Sequence, residues 1–266
     1  MRIAIIGDGQ MGLAMADAVA TAGASTVVWG PFPDRIDRLT RDRGDAQRLP
    51  GFTIQPEIEL TSETRVAVTG ADLIFNAVPT QFIRGTWTNL ASEISGGVPV
   101  ICVAKGIENE TLLLPSGIIE SAAPTVGPVC ALSGPTIARE LVAHLPATMV
   151  AACVDGAVAK LVREVMDVPW LRIYTHDDVI GVEMAGAIKN VIALAAGILD
   201  GMGLGINTKS ALLARGLAEI ARLGDAAGAR TETFFGIAGV GDLATTCFSP
   251  HSRNRTCGER LGSGMS

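Results

Sequence analysis

Aromatic side chains make up only 4% of this chain, with a single tyrosine and three tryptophans, so the interior must be built from aliphatic and small residues. Histidine is equally scarce. His144, His176 and His251 are scattered, none at metal-ligand spacing from a cysteine, which excludes a structural zinc site. The five cysteines, Cys102, Cys130, Cys153, Cys247 and Cys257, contain no Cys-x-x-Cys pair. Their odd number suits a reducing compartment better than a disulfide framework. Positive charge is also in deficit: 21 basic against 27 acidic residues give a net charge of −6. That excludes the basic surface on which nucleic-acid binding depends, although a few local cations can still hold one small phosphorylated molecule. Long apolar runs are missing too. Val191 to Leu199 is bracketed by Lys189-Asn190 and Asp200 and is too short to span a bilayer, and Met1 to Gly7 is too short for a signal peptide. A cytoplasmic protein without a membrane span is expected.

What is present is a chain of 266 residues, 48% hydrophobic and with 31 glycines, long enough for one large domain or two ordinary ones. Short β-branched runs mark strands at Arg2–Ile6, Thr26–Trp29, Leu73–Val78, Val98–Val103, Pro128–Leu132, Ala147–Cys153 and Leu171–Tyr174. Amphipathic stretches such as Met11–Thr21, Gln81–Ile94 and Gly156–Met166 alternate with them, the pattern of β-α-β units in a mainly parallel α/β sheet. From Asp178 the pattern turns to long helices, Asp178–Gly201 and Thr208–Ala227, with no convincing strand afterwards. A boundary near His176 therefore divides an α/β domain (1–176) from an all-α domain (177–266). The final residues, Gly258 to Ser266, read as a helix and a turn that lead nowhere, so the second domain is expected to be incomplete.

Gly7-Asp8-Gly9-Gln10-Met11-Gly12 follows the first strand directly and opens a helix. Gly7 permits the tight turn, Gly9 lets a pyrophosphate approach the backbone, and Gly12 lets helix and strand pack closely, with the helix N-terminus facing the anion. The bland alternative is a glycine-rich turn that binds nothing. The acidic residue expected at the end of the second strand, where it would take a ribose 2′-hydroxyl, is replaced by Trp29-Gly30-Pro31. Beyond it lies a mixed-charge segment from Asp34 to Arg48. It reads either as a solvated helix face or, through Arg35 or a neighbour, as a 2′-phosphate site favouring NADP.

Ligands of open parallel sheets sit beyond the carboxyl ends of the strands. There the sequence places Lys105, and Gly134 or Ser133 as the cap of a helix begun by Pro135. An ordinary exposed lysine is the competing reading of Lys105. Lys189 is more telling. It lies mid-helix with Ala185, Gly186, Ile192 and Ala193 three and four residues away, so it has no helical ion-pair partner. A lysine on such an apolar stripe tends to lose its proton, which suits a general base; the alternative is a lysine snorkelling at a domain seam. Asp242 reads as a helix N-cap or as a site residue. Ser252-Arg253-Asn254 offers a hydroxyl, a guanidinium and an amide, either a phosphate clamp or a polar turn. His251 and Cys247 stand four apart but lack a third orienting group.

The segments Gly7–Gly12, Ala104-Lys105-Gly106-Ile107-Glu108, Leu132 to Glu140, and Gly186 to Ala193 together resemble the bacterial-type NAD(P)-dependent glycerol-3-phosphate dehydrogenases. Arg215 to Glu219, Gly241-Asp242-Leu243 with Thr246-Cys247, and Ser252 to Arg255 extend the likeness over nearly the whole chain. The resemblance implies a Rossmann-like doubly wound domain followed by a helical substrate domain. It implies reversible hydride transfer between NAD or NADP and dihydroxyacetone phosphate, giving sn-glycerol 3-phosphate for phospholipids. It makes Lys189 the proton donor and acceptor at the C2 oxygen and Lys105 a contact to both substrate and cofactor. Asp242, Asn190 and Thr246 would hold the substrate, with Gly134, Thr136, Ser252, Arg253 and Asn254 in its pocket. Gln10, Met11, Ala138 and Arg253 match cofactor contacts, and a homodimer is an open expectation. Two departures stand out: Gln10-Met11, where a small and an aromatic residue are usual, and Gly30-Pro31, where a basic position is usual. A related reductase of another small oxo acid, and a non-catalytic dinucleotide-binding module, are the competing readings.

Overall fold

The structure, a computed structural model, describes residues 1–265. Its strands are β1 (Arg2–Ile6), β2 (Ser25–Trp29), β3 (Glu59–Thr61), β4 (Leu73–Asn76), β5 (Val100–Cys102), β6 (Val129–Ser133), β7 (Ala147–Ala152) and β8 (Leu171–His176). Its helices are α1 (Gln10–Thr21), α2 (Pro33–Asp42), α3 (Thr64–Val68), α4 (Thr80–Leu90), α5 (Pro115–Ala122), α6 (Ala138–Val142), α7 (Gly156–Val165), α8 (Val179–Gly201), α9 (Gly205–Ala226), α10 (Asp242–Phe248) and α11 (Arg253–Gly262).

The eight strands form one sheet in the order β3-β2-β1-β4-β5-β6-β7-β8, parallel throughout except where β7 runs against β6. Strands at its centre are apolar on both faces, as sheets covered on both sides require: Ile3, Ala4, Ile5 and Ile6 of β1 are all fully buried. One face packs on α1 and α7 through Leu13, Val19, Val158 and Val162. The other packs on α3, α4 and α5 through Ala67, Ile83, Trp87 and Ile118. Trp87 donates its indole N–H to the Asn76 amide oxygen at 2.8 Å, which satisfies two polar groups with no access to water.

Each anticipated strand is present, most of them a residue or more shorter or shifted. The unanticipated one is β3, which pairs with β2 through three residues only. A second difference lies after β6. The helix expected to start at Pro135 begins at Ala138, with Ile137 before it and no side-chain cap, and in the intervening turn Thr136 donates its hydroxyl to the Gly134 carbonyl.

The long helix α8 starts at the Asp178 cap, whose carboxylate accepts the Gly181 amide, the Arg230 amide and the Thr233 hydroxyl. By length and composition alone the whole helix could cross a membrane, although its Val191–Leu199 stretch by itself is too short. In this fold it is a core helix: α9, α10, α11 and β6 all pack on it. The contact with α11 is close because glycines face backbone. A Cβ on Gly197 would lie 2.0 Å from the Arg255 carbonyl oxygen, and one on Gly258 would lie 2.0 Å from that of Leu194. Between α9 and α10 the chain passes through a 3₁₀ turn at Thr231–Phe235 and a wide π turn at Ile237–Gly241. That wide turn delivers Asp242 to the first position of α10.

Candidate active site

Two lysines and one carboxylate lie at the centre of the site. Lys189, on α8, donates to Asp242 Oδ1 and, at 2.6 Å, to the Thr246 hydroxyl. Lys105, in the loop after β5, donates to Asp242 Oδ2 at 2.6 Å and to the Gly134 carbonyl at 3.2 Å. The Thr246 hydroxyl in turn donates a hydrogen bond to the Asp242 backbone carbonyl at 2.7 Å. Asp242 is thus no N-cap: both carboxylate oxygens are taken by ammonium groups, and Gly241 precedes the helix. The stem of Lys105 crosses α8 at Gly186, where a Cβ would stand 3.2 Å from its Cγ. The small-residue stripe of α8 therefore receives a side chain of the sheet domain as well as α11.

Lys189 is 7% exposed and Asp242 1%. Burial holds the Lys189 ammonium down to about 8, the Lys105 charge pushes the same way, and the Asp242 carboxylate pulls against both. The Asp242 counter-charge limits how far burial lowers Lys189 and leaves it able to give or take a proton near neutral pH. No sequence-local signal pointed to the partner, which lies 53 residues away.

Beside this cluster opens a cleft of about 560 Å³. Gly9, Gln10 and Met11 line one side, Thr136 and Ala138 another. Lys189, Asp242 and Thr246 face them, and Ser252, Arg253 and Asn254 complete the wall at the start of α11. Asn254 donates to the Asn190 amide oxygen at 2.8 Å, which joins α11 to α8 at the cleft. The Ser252 oxygen accepts the Arg255 amide at 3.2 Å and so caps α11, leaving its hydroxyl hydrogen for a ligand. Arg253 makes no ion pair among the described residues. A larger open groove of about 1100 Å³ runs along Arg163, Glu164, Trp170 and Arg172, away from both site lysines.

At the glycine turn, Gly7 has φ +121° and its missing Cβ would collide with Ala77 O at 2.8 Å. A Cβ on Gly12 would meet the Gly7 carbonyl at 1.8 Å, whereas one on Gly9 would meet nothing within 4 Å. Two glycines are therefore required by packing and the third leaves open space in front of α1, whose N-terminus has no side-chain cap. The Gln10 amide is occupied, donating to the Arg48 carbonyl.

Arg35 departs from both readings of its segment. Its side chain is only 14% exposed and donates to the Asp8 carboxylate and carbonyl and to Asp45 Oδ2 at 2.8 Å. Burial works against ionisation of Asp45, yet the Arg35 and Arg48 hydrogen bonds hold its carboxyl below the ordinary range. Cys247 is fully buried and burial pushes its thiol up to about 11, which works against a reactive thiolate there. No cluster of three or more metal-binding side chains occurs among the described residues.

Two family models match the chain: the N-terminus of NAD-dependent glycerol-3-phosphate dehydrogenase over residues 2–159, and its C-terminus over residues 178–266. The chain belongs to this family. It is 44% identical to the NAD(P)+ glycerol-3-phosphate dehydrogenase of Thermobifida fusca over 266 residues, which cover 99% of this chain and 79% of the relative. It is 42% identical to that of Geobacter sulfurreducens, again over 99% of this chain and 79% of the relative. A crystal structure of the glycerol-3-phosphate dehydrogenase from Coxiella burnetii superposes with a TM-score of 0.95 at 32% identity, covering 100% of this chain and 81% of that one. The residues at the turn fit a family dinucleotide: Gly9 leaves the approach open and the uncapped amides of α1 face it.

Proposed function

We propose that this chain transfers a hydride reversibly between NAD(H) or NADP(H) and the pair dihydroxyacetone phosphate and sn-glycerol 3-phosphate, a glycerophospholipid precursor. The observation that carries this reading is the Lys105–Asp242–Lys189 cluster beside a cleft bounded by the glycine turn and by Arg253. When bound, the dinucleotide supplies or takes up the hydride at its nicotinamide ring. Everything else falls to the chain. Gly7, Gly9, Gly12, Gln10, Met11 and Ala138 bound the cofactor side. In reduction, Lys189 gives its proton to the C2 oxygen of the ketone, and Lys105 stabilises the charge that develops there. In oxidation, neutral Lys189 takes the hydroxyl proton. Asp242 and Thr246 hold the Lys189 nitrogen in place, so one carboxylate sets the position of both ammonium groups. Gly134, through its carbonyl, orients Lys105. Asn190, Thr136, Ser252, Arg253 and Asn254 hold the phosphorylated substrate, Arg253 and the α11 amides taking the phosphate. The sheet domain (1–176) thus carries the cofactor, the helical segment (177–266) carries most of the substrate wall, and the work is done in the cytoplasm.

Loss of NAD(P)H absorbance on adding dihydroxyacetone phosphate tests the reading, with unphosphorylated dihydroxyacetone as the comparison. Arg253→Ala should raise KM by about tenfold or more for the phosphorylated ketone. Equal turnover of both ketones would favour the related-reductase reading, and cofactor binding without turnover a non-catalytic module.

A further inference from the structure

Resting on the dinucleotide reading above, we infer that Asp8 supplies the ribose-binding carboxylate that strand β2 lacks and that, with Asp45 and Arg35, it selects NAD(H) over NADP(H). Sheets of this kind place an acidic side chain at the end of the second strand, about 20 residues beyond the glycine turn, where it accepts the adenosine 2′-hydroxyl. Here that place is Gly30. The space its side chain would occupy is not open: a Cβ on Gly30 would lie 2.7 Å from Asp8 Cγ and 2.8 Å from Asp8 Oδ2. A carboxylate from the glycine turn has thus moved into the position vacated on the strand, and no larger residue than glycine fits at 30 while it is there.

The arrangement is held from behind. Arg35 donates to Asp8 Oδ2 through Nε and to the Asp8 carbonyl at 2.8 Å through Nη2. The same Nη2 donates to Asp45 Oδ2, and Asp45 is fixed in turn by the Arg48 amide at 3.1 Å. Asp8 Oδ1 has no hydrogen bond among the described residues and remains available to a hydroxyl donor. A 2′-hydroxyl gains a charge-assisted hydrogen bond at this oxygen. A 2′-phosphate meets two carboxylates instead, and the guanidinium that would have welcomed it is already shared between them.

Calorimetric titration with ADP-ribose and with 2′-phospho-ADP-ribose, which carry the recognition elements without the nicotinamide, tests the inference in the absence of turnover. The wild-type protein should bind ADP-ribose at least about tenfold more tightly than the phosphorylated probe. Asp8→Asn, which preserves shape, should lower the preference by about tenfold as Arg35 is released and the acceptor loses its charge. Asp45→Asn, which leaves the ribose-facing oxygen intact, should strengthen binding of the phosphorylated probe alone. Equal affinities in the wild type, or tighter binding of the phosphorylated probe, overturn the inference and leave the dinucleotide reading standing. An unchanged preference in both variants, with unaltered thermal melts, also overturns it. If neither probe binds, the dinucleotide reading falls as well.

Discussion

Replacing Asp242 by asparagine removes the one negative charge between two ammonium groups while keeping the shape of the side chain. In the wild type, Lys189 is held near 8 by burial and Lys105, with Asp242 opposing them. An opposite charge at hydrogen-bond distance moves a pKa by about 1–3 units, so its loss should carry Lys189 lower by that much. The sign follows directly. Reduction needs the ammonium, so the basic limb of its pH profile should move toward acid by the same amount. At pH 8 that alone lowers the protonated fraction, and with it kcat/KM, by about 5-fold to 500-fold. Oxidation needs the free amine, and its acidic limb should move the same way, so the variant should retain relatively more oxidation than reduction at pH 7. Leaving two lysines without a counter-charge also destabilises the fold, by up to about 3–5 kcal/mol before Lys189 sheds its proton. The assay is the pH dependence of NAD(P)H consumption and formation, alongside urea unfolding. A reduction limb that stays in place or moves toward base would refute the reasoning.

Lys189→Ala should lower kcat for reduction by about 10²–10⁴ with little effect on cofactor affinity, measured by steady-state kinetics and titration. Glu183, buried on α8, accepts the Ser116 amide at 2.9 Å and its hydroxyl at 2.6 Å, and burial raises its carboxyl to about 7. Because the folded value lies above the unfolded one, its contribution is present below about 4.5 and is lost as pH rises through 7. Glu183→Gln should therefore gain stability over the wild type at pH 8, by roughly 2–3 kcal/mol, and little at pH 4.5, as read by urea unfolding at the two values. Gly258→Ala forces a methyl against the Leu194 carbonyl and should cost about 1–3 kcal/mol or more, seen as a lower melting temperature, with KM for the phosphorylated substrate rising as α11 shifts.

Much of this architecture could be read from spacing alone. The buried strands announce themselves by β-branched runs, and α8 by its small residues and its isolated lysine. β3 could not be read: it is an edge strand of three residues, none fully buried, so no hydrophobic pattern marks it. The two site lysines are legible one at a time, yet their shared carboxylate is not, because Lys105 and Asp242 are 137 residues apart and only the folded chain joins them. The charged segment after β2 misled for a related reason. Alternating signs look the same whether they face water or, like Arg35, turn inward onto acids from two other loops.

The glycine-to-carbonyl contacts between α8 and α11 give the cleft a fixed gauge. Lys189 rides on one rod and Arg253 and Asn254 on the other, and the rods touch main chain to main chain. The main-chain separation of Lys189 from the start of α11 is consequently not adjustable by repacking side chains between the two helices. Widening the cleft at this wall therefore means parting backbone from backbone, a change that no single side-chain substitution in the lining can bring about.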